Sequence, residues 1–165
     1  MGQMEFNTRD LRRAFGTFLT GVTIVTTRDA TGERKGMTAN SFTSVSLNPA
    51  LVLICVGKGS SNITAFEEAK SFAINVLHSG QESVASLFAA KGVDRFAGVE
   101  TFEALTGAPV LKDCLGWFDC TPHRHVDAGD HIILIGEVQA YGMSEHEPLG
   151  FHRGGFMRRE ALLAS

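Results

Sequence analysis

The sequence predicts a mainly β domain, an antiparallel barrel with helices on its outside. Three observations point there. Apolar and β-branched runs of strand length recur from Val22 to Tyr141, their connections read as hairpin turns rather than regular βαβ alternation, and the helical stretches between them are short. A Rossmann sheet is disfavoured. No GxGxxG follows a strand, and Gly57-Lys58-Gly59-Ser60-Ser61 lacks the first glycine of a GxxxxGK[ST] loop.

Asn7 or Thr8 caps a first helix in which Leu11, Phe15, Phe18 and Leu19 recur at helical spacing, with Arg9, Arg12 and Arg13 facing outward and Gly21 as its stop. Val22 to Thr27 is β-branched and reads as a strand. The turn cluster Asp29-Ala30-Thr31-Gly32 leads into a second strand from Glu33, and Gly36 to Leu47 continues with Thr, Ser and Asn between Met37, Phe42 and Val45. Asn48-Pro49 turns the chain into the apolar strand Ala50 to Val56. Ser61 or Asn62 caps a short helix through Phe66 and Lys70, Ser71 to Leu77 is a strand, and Gln81 to Lys91 is a helix ended by Gly92. Phe96 and Phe102 fall in a loop region. Two long arms, Trp117 to Val126 and His131 to Tyr141, form a hairpin about Asp127-Ala128-Gly129-Asp130. That makes roughly six strands, with no repeat, linker or low-complexity tract.

The 165 residues fit one domain, with its core at about 10–158. Fifteen basic and eighteen acidic residues leave a net charge of −3, which offers nothing to a phosphate backbone or an anionic membrane. Nucleic acid and membrane are both disfavoured as partners. The longest apolar run, Ala50 to Val56, is far short of the roughly 20 residues a bilayer requires. Cys55, Cys114 and Cys120 have no CxxC spacing, and the chain starts without a basic-then-apolar leader, so a reduced cytoplasm is the expected location.

Two stretches carry candidate chemistry. Small and amide side chains crowd Gly36 to Leu47, where a flat ligand could lie against strand backbone; a Thr/Ser-rich edge strand is the plainer reading. In Gly57-Lys58-Gly59-Ser60-Ser61-Asn62 a glycine-rich turn opens a helix, an arrangement that favours an anion such as phosphate, although an ordinary N-cap has the same look. His123 and His125 share one strand face with His131 opposite, but no carboxylate spacing supports a metal, and none is assigned.

Taken in order, Phe15 to Thr26, Gly36 to Pro49, Phe72 to Leu77, Gly129-Asp130-His131 and His152-Arg153-Gly154-Gly155-Phe156 resemble the flavin reductase family over about residues 10 to 158. The resemblance implies an antiparallel split β-barrel that binds flavin, usually as a homodimer. It implies hydride transfer from NADH or NADPH to FMN or FAD, with reduced flavin supplied to a partner monooxygenase. Carried over to this sequence, Met37, Thr38, Ala39, Asn40 and Ser41, with Val45 and Ser46, border the ring and ribityl chain. Cys55, Val56 and Gly57 lie along the ring, and Ser60, Ser61 and Asn62 hold the phosphate. Lys91, Arg95 and Phe96 reach the same cofactor. His131 is the catalytic candidate and, with His152, Arg153, Gly154, Gly155 and Phe156, serves the hydride donor; Phe156 stands where many members carry tyrosine. By composition alone, Cys55 packs in its apolar run, and twelve phenylalanines exceed what one small core comfortably encloses, which also favours a homodimer. A non-catalytic flavin-binding barrel is the alternative reading.

Overall fold

In a computed structural model, residues 6–158 are described. The chain runs α1 (Thr8–Phe15), β1 (Thr20–Gly21), β2 (Thr23–Arg28), β3 (Arg34–Ala39), β4 (Thr43–Leu47), β5 (Ala50–Gly57), α2 (Ile63–Glu67) and β6 (Phe72–Val76). It continues through α3 (Glu82–Ala89), β7 (Thr101–Glu103), β8 (Pro109–Leu111), β9 (Gly116–Ala128), β10 (His131–Met143), β11 (Leu149–His152) and β12 (Gly155–Arg158).

Seven strands form one antiparallel sheet in the order β3-β2-β6-β9-β10-β5-β4. Its two edges, β3 and β4, are consecutive in the chain. Laid flat, six inter-strand gaps would separate those edges by about 29 Å. The four-residue step from Ala39 to Thr43 reaches about 14 Å at most. The sheet therefore curls until its edges nearly meet, which gives a barrel split between β3 and β4. Ser41 helps to close the split: its Oγ accepts the Cys55 amide of β5 at 2.9 Å.

Alternation along β5 turns Val52, Ile54 and Val56 inward, where they meet Val25, Phe66, Phe72, Ile74, Cys120 and Leu134 in the barrel core. β2 is buried on both faces. Ile24 and Val22 point the other way into a second cluster with Leu77, Phe88, Phe96, Leu111 and Leu149 beneath α3. The threonines of β2 are tolerated there because each hydroxyl has a carbonyl: Thr23 donates to Ala39 at 2.8 Å, Thr27 to Ser71 at 2.7 Å and Thr26 to Pro109.

Several boundaries differ from the sequence reading. The first helix ends at Gly16 rather than Gly21, and Asn7 caps it by accepting the Arg9 and Asp10 amides. Phe18 and Leu19 lie beyond it. The Gly36–Leu47 stretch divides into β3 and β4, because Asn40 to Phe42 must cross the split. α2 stops at Glu67 and α3 at Ala89, short of Lys70 and Lys91. The strand count rises from about six to twelve: the pairs β7–β8 and β11–β12 are hairpins with arms of three and four residues, too short for a pattern to show, and β1 forms only where it meets β11 from the far end of the chain.

Candidate functional site

The long hairpin and the Gly57–Asn62 turn meet at one end of the barrel. β10 pairs with β5 so that His131 sits opposite Gly57, and a Cβ on Gly57 would lie 3.5 Å from His131 Nε2. The glycine leaves the imidazole lying over the strand end. His131 Nδ1 donates to Asp130 at 2.6 Å, so its proton is fixed there and Nε2 is left to face the turn. That hydrogen bond, then the histidine's charge, holds the Asp130 carboxyl below the usual carboxylate range, and the Arg12 guanidinium adds to the effect.

Lys58 fastens the two segments together. Its amide donates to the Asp130 carbonyl at 2.9 Å, and its ammonium reaches Asp127 at 2.5 Å and the Gly129 carbonyl at 2.7 Å. The lysine expected to attract an anion is therefore committed to the hairpin tip, where it positions His131. Asn62 likewise makes no side-chain cap for α2. Its Nδ2 instead donates to the Gly36 carbonyl at 2.8 Å.

A cavity of about 230 Å³ brings together Gly36, Ser61, Asn62, Arg95 and Phe96 beside Arg34 and Lys35. Arg95 grips the Gly36 carbonyl through Nη1 at 2.8 Å and the Ala90 carbonyl through Nε and Nη2 at 3.0 and 2.7 Å. These bonds use three of its five N–H groups, and the others remain for a ligand. Glu33 and Asp94 line it too, but Glu33 is paired with Lys35 at 2.7 Å and Asp94 accepts the Phe96 amide at 3.0 Å, so the Ser61 hydroxyl and the free N–H groups of Arg95 fit the phosphate end of a flavin nucleotide. Ser60 is adjacent, its Oγ accepting the Asn62 amide at 3.2 Å.

Other predicted residues are placed differently. Ala39 and Val56 direct their side chains into the barrel core, since strand alternation puts them on the inner face; only their backbone can meet a ligand. Phe96 is 7% exposed and packs edge-on against Phe88 at 5.0 Å, so it is a core residue as well as a cavity wall. The Thr38 hydroxyl is spent on the Ala85 carbonyl at 2.6 Å, and Met37 packs against the core. Val45 is a bulge residue on the edge strand β4, with Ser46 beside it; neither lines the cavities described. Lys91 is exposed next to Gly92. Cys55 alternates to the outer face and is half-buried rather than packed inside.

His152 and Gly155 close the β11–β12 hairpin across Arg153-Gly154, whose φ values of 49° and 83° make a left-handed two-residue turn. Sequence reading missed this hairpin. It brings Arg153 against α1, where the Arg153 amide donates to the Gly16 carbonyl at 2.7 Å. Phe156 packs edge-on against Phe151 at 5.7 Å.

The strand histidines do not gather. Among the described residues, the group with metal-ligand spacing is instead His78, Asp113 and His146, with donor atoms within 4.8 Å of one another. His78 Nδ1 accepts the Gly80 amide at 3.1 Å, which puts its proton on Nε2, aimed at Asp113 at 3.1 Å. A metal on Nε2 would force a proton onto Nδ1 against the Gly80 N–H, so the cluster is better explained as hydrogen bonding.

Residues 15–159 match the family described as flavin reductase like domain. The chain belongs to that family. A Streptomyces globisporus NADH-dependent FAD reductase is 44% identical over 154 residues, covering 90% of this chain and 84% of that protein. The reductase component of a flavin-dependent trigonelline monooxygenase from Acinetobacter baylyi is 47% identical over 148 residues, 90% of this chain but 48% of its own length. Two Rhizobium meliloti relatives are likewise covered over only 49% and 66% of their length. The solved structure of a Streptomyces globisporus C-1027 NADH:FAD oxidoreductase in complex with NAD and FAD fragments superposes with a TM-score of 0.87. It is 41% identical, covering 95% of this chain and 96% of that one. This flavin reductase like chain thus shares its antiparallel architecture with a protein solved in complex with NAD and FAD fragments.

Proposed function

We propose that the protein is an NAD(P)H:flavin oxidoreductase that takes hydride from NADH or NADPH and delivers reduced FMN or FAD to a partner monooxygenase. The observation that carries this reading is the seating of His131 over Gly57, at the start of the turn that leads to Ser61 and Asn62 of the phosphate-type cavity. Flavin, when bound, supplies the redox chemistry, accepting two electrons and a proton as hydride from the dihydronicotinamide.

The chain's own residues then bind and orient. Ser61 and Arg95 hold the phosphate end, with Asn62 tying the turn to the Gly36 carbonyl beside them, and the backbone of Met37 to Ser41 and of Cys55 to Gly57 borders the ring. His131, kept in one tautomer by Asp130 and in place by Lys58, contacts the hydride donor. His152 to Phe156 complete the donor side. No protein nucleophile is required, because proximity and orientation supply the protein's share of the barrier lowering.

A homodimer in the cytoplasm completes the reading. Its support is an apolar outer face: Leu51, Leu53, Cys55, Ile133 and Ile135 are only half-buried, and Leu47 on the neighbouring edge strand is 97% exposed. Phe15 and Phe18, at 69% and 76%, are likewise uncovered. Among the described residues no helix is long and apolar enough to cross a membrane.

The test is NADH oxidation with and without added FMN or FAD. Flavin-dependent turnover is expected. Flavin binding without any acceleration would establish the non-catalytic barrel instead. Light scattering tests the dimer; a fully active monomer at micromolar concentration overturns it.

A further inference from the structure

We propose that His78 is the acid-released catch of a clasp that fastens the β10–β11 connection to the loop between β6 and α3. Three segments meet there. Residues 77–81 lead from β6 into α3, residues 112–115 lead into β9, and residues 144–148 join β10 to β11.

Backbone bonds make the clasp. The Ser79 amide donates to the Glu147 carbonyl at 2.8 Å, the Leu149 amide donates to the Leu77 carbonyl at 3.1 Å, and His78 forms a bridge with Pro148. On the side of β9, the Leu115 amide donates to the Val76 carbonyl and the Ser144 amide to the Leu115 carbonyl, each at 2.8 Å. Gln81 is buried and ties the loops together: its Oε1 accepts the His78 amide at 3.0 Å and its Nε2 donates to the Asp113 carbonyl.

The His78 side chain, 15% exposed, sits in the middle of these segments, and both its nitrogens are in use. Nδ1 accepts the Gly80 amide at 3.1 Å, Nε2 meets Asp113 at 3.1 Å, and the ring lies beside that of His146 with centroids 4.6 Å apart. One nitrogen accepting and the other donating is the pattern of a neutral imidazole. A second proton can enter only at Nδ1, where it points at the Gly80 N–H. That amide has little room to turn aside, because Gly80 is pressed so closely to the ring that a Cβ on it would lie 3.0 Å from Cε1 and 3.2 Å from Nδ1. Protonation thus turns an attraction into a repulsion. It is relieved by moving residues 79 and 80, and with them the Ser79 bond to the connection.

The charges on the surrounding elements do not cancel this. Asp113 already accepts from Nε2 of the neutral ring, and its carboxylate is 75% exposed, so its added attraction for a cation is screened. His146, when protonated, places a second positive charge against the ring. Glu82 at the start of α3 is paired with Arg158 at 2.9 Å, and Lys112 with Glu100 at 3.0 Å. Glu145 and Glu147 are the remaining charged residues of the connection.

Topology says what the clasp holds. β11 begins at Leu149, directly after the clasped segment, and ends at His152 beside the Arg153-Gly154 turn. On the flavin reductase reading, on which this step alone rests, release loosens the donor side and raises KM for NADH in acid.

The experiment is native-state hydrogen exchange, followed by NMR at about pH 7.5 and about pH 5.5 and corrected for intrinsic rates, on the wild type, His78→Asn and His146→Ala. Asparagine is chosen because its Oδ1 can accept the amide two residues on and takes up no proton in this range. Protection of the wild-type Ser79 amide should fall about tenfold at the lower pH relative to the amides of β5, His146→Ala should behave in the same way, and His78→Asn should stay protected at both. Ring nitrogen spectra of the wild type, which need no variant, should show Nδ1 gaining its proton over the interval in which Ser79 loses protection. Constant protection in the wild type, loss in His78→Asn equal to that of the wild type, or loss abolished by His146→Ala overturns the proposal. The acid rise in KM for NADH should be about threefold smaller in His78→Asn than in the wild type, and equal rises would sever the clasp from the donor side. Exchange needs no turnover, so a protein that fails to oxidise NADH would defeat the functional reading while leaving the clasp tested.

Discussion

Gly36→Ala should damage the core and the site together. Gly36 is buried in β3, and a methyl placed on it would lie 2.6 and 2.9 Å from Phe88 Cε1 and Cδ1 and 3.3 Å from Phe96 Cζ. Ordinary carbon contacts begin near 3.5 Å, so the Phe88 ring must retreat by almost an ångström. It has little room, being 1% exposed and set edge-on against Phe96, whose other neighbour is the Arg34 guanidinium at 4.7 Å. Overpacking of this kind costs about 2 kcal/mol, which in a chain of this length lowers Tm by about 4 to 8 °C. The carbonyl of the same residue anchors Asn62 and Arg95, so displacement of β3 should also weaken FMN by about tenfold, or 1.4 kcal/mol. Differential scanning calorimetry and fluorescence titration read the two effects. Gly21→Ala is the control, because nothing lies within 4 Å of its added methyl, and it should stay within about 0.5 kcal/mol of wild type. An unshifted Tm for Gly36→Ala would refute the packing argument; a shifted Tm with unchanged FMN affinity would refute the coupling of core to site.

Replacing His131 with alanine should raise KM for NADH or slow hydride transfer by about tenfold, or 1.4 kcal/mol, with flavin affinity nearly unchanged. Stopped-flow reduction of the loaded variant measures both, and loss of flavin with normal transfer would move His131 to the flavin site. Burial pushes the Cys114 thiol up to about 11 and Cys120 to about 12, so a thiol reagent at pH 8 should label at most Cys55 in the native protein and all three cysteines in denaturant. Labelling of Cys120 under native conditions would contradict its place in the core. The Asp29 carboxyl is held down to about 2, chiefly by the Thr31 hydroxyl and then by the Glu33 and Thr31 amides. Its folded pKa lies below the unfolded one, so its contribution to the β2–β3 turn is complete above about pH 4 and lost as pH falls towards 2. Asp29→Asn should flatten the pH dependence of stability in that window, as read by urea unfolding at several pH values.

How much of the fold can be read from sequence follows from where each element finds its partners. The β9–β10 hairpin is legible because its turn and both arms are contiguous, and the alternation from Ile132 to Gly136 states which face is inside. β11 and β12 are four residues each and pair across a two-residue turn, too short for alternation to register, and the two residues of β1 find their partner, β11, near the other end of the chain. The over-long first helix has a different cause. Phe15, Phe18 and Leu19 keep helical spacing but remain exposed, at 69%, 76% and 43%, and apolar periodicity cannot tell a core face from a groove wall.

The site divides along the same line. The motif residues do assemble, since pairing of β10 with β5 brings Gly129-Asp130-His131 onto the Gly57 turn. What the residue types could not disclose is which polar groups are already taken. Lys58 and Asn62 have the chemistry of anion ligands, yet the ammonium of one is held by Asp127 and the Gly129 carbonyl, and the amide of the other donates to the Gly36 carbonyl that Arg95 also grips. Arg9, Arg12 and Arg153 show the converse. On the sequence, Arg9 and Arg12 are a solvated helix face, and only the hydrogen bond from Arg153 to Gly16 folds the C-terminal turn against that face. A cation's availability is thus a property of its neighbours across the fold.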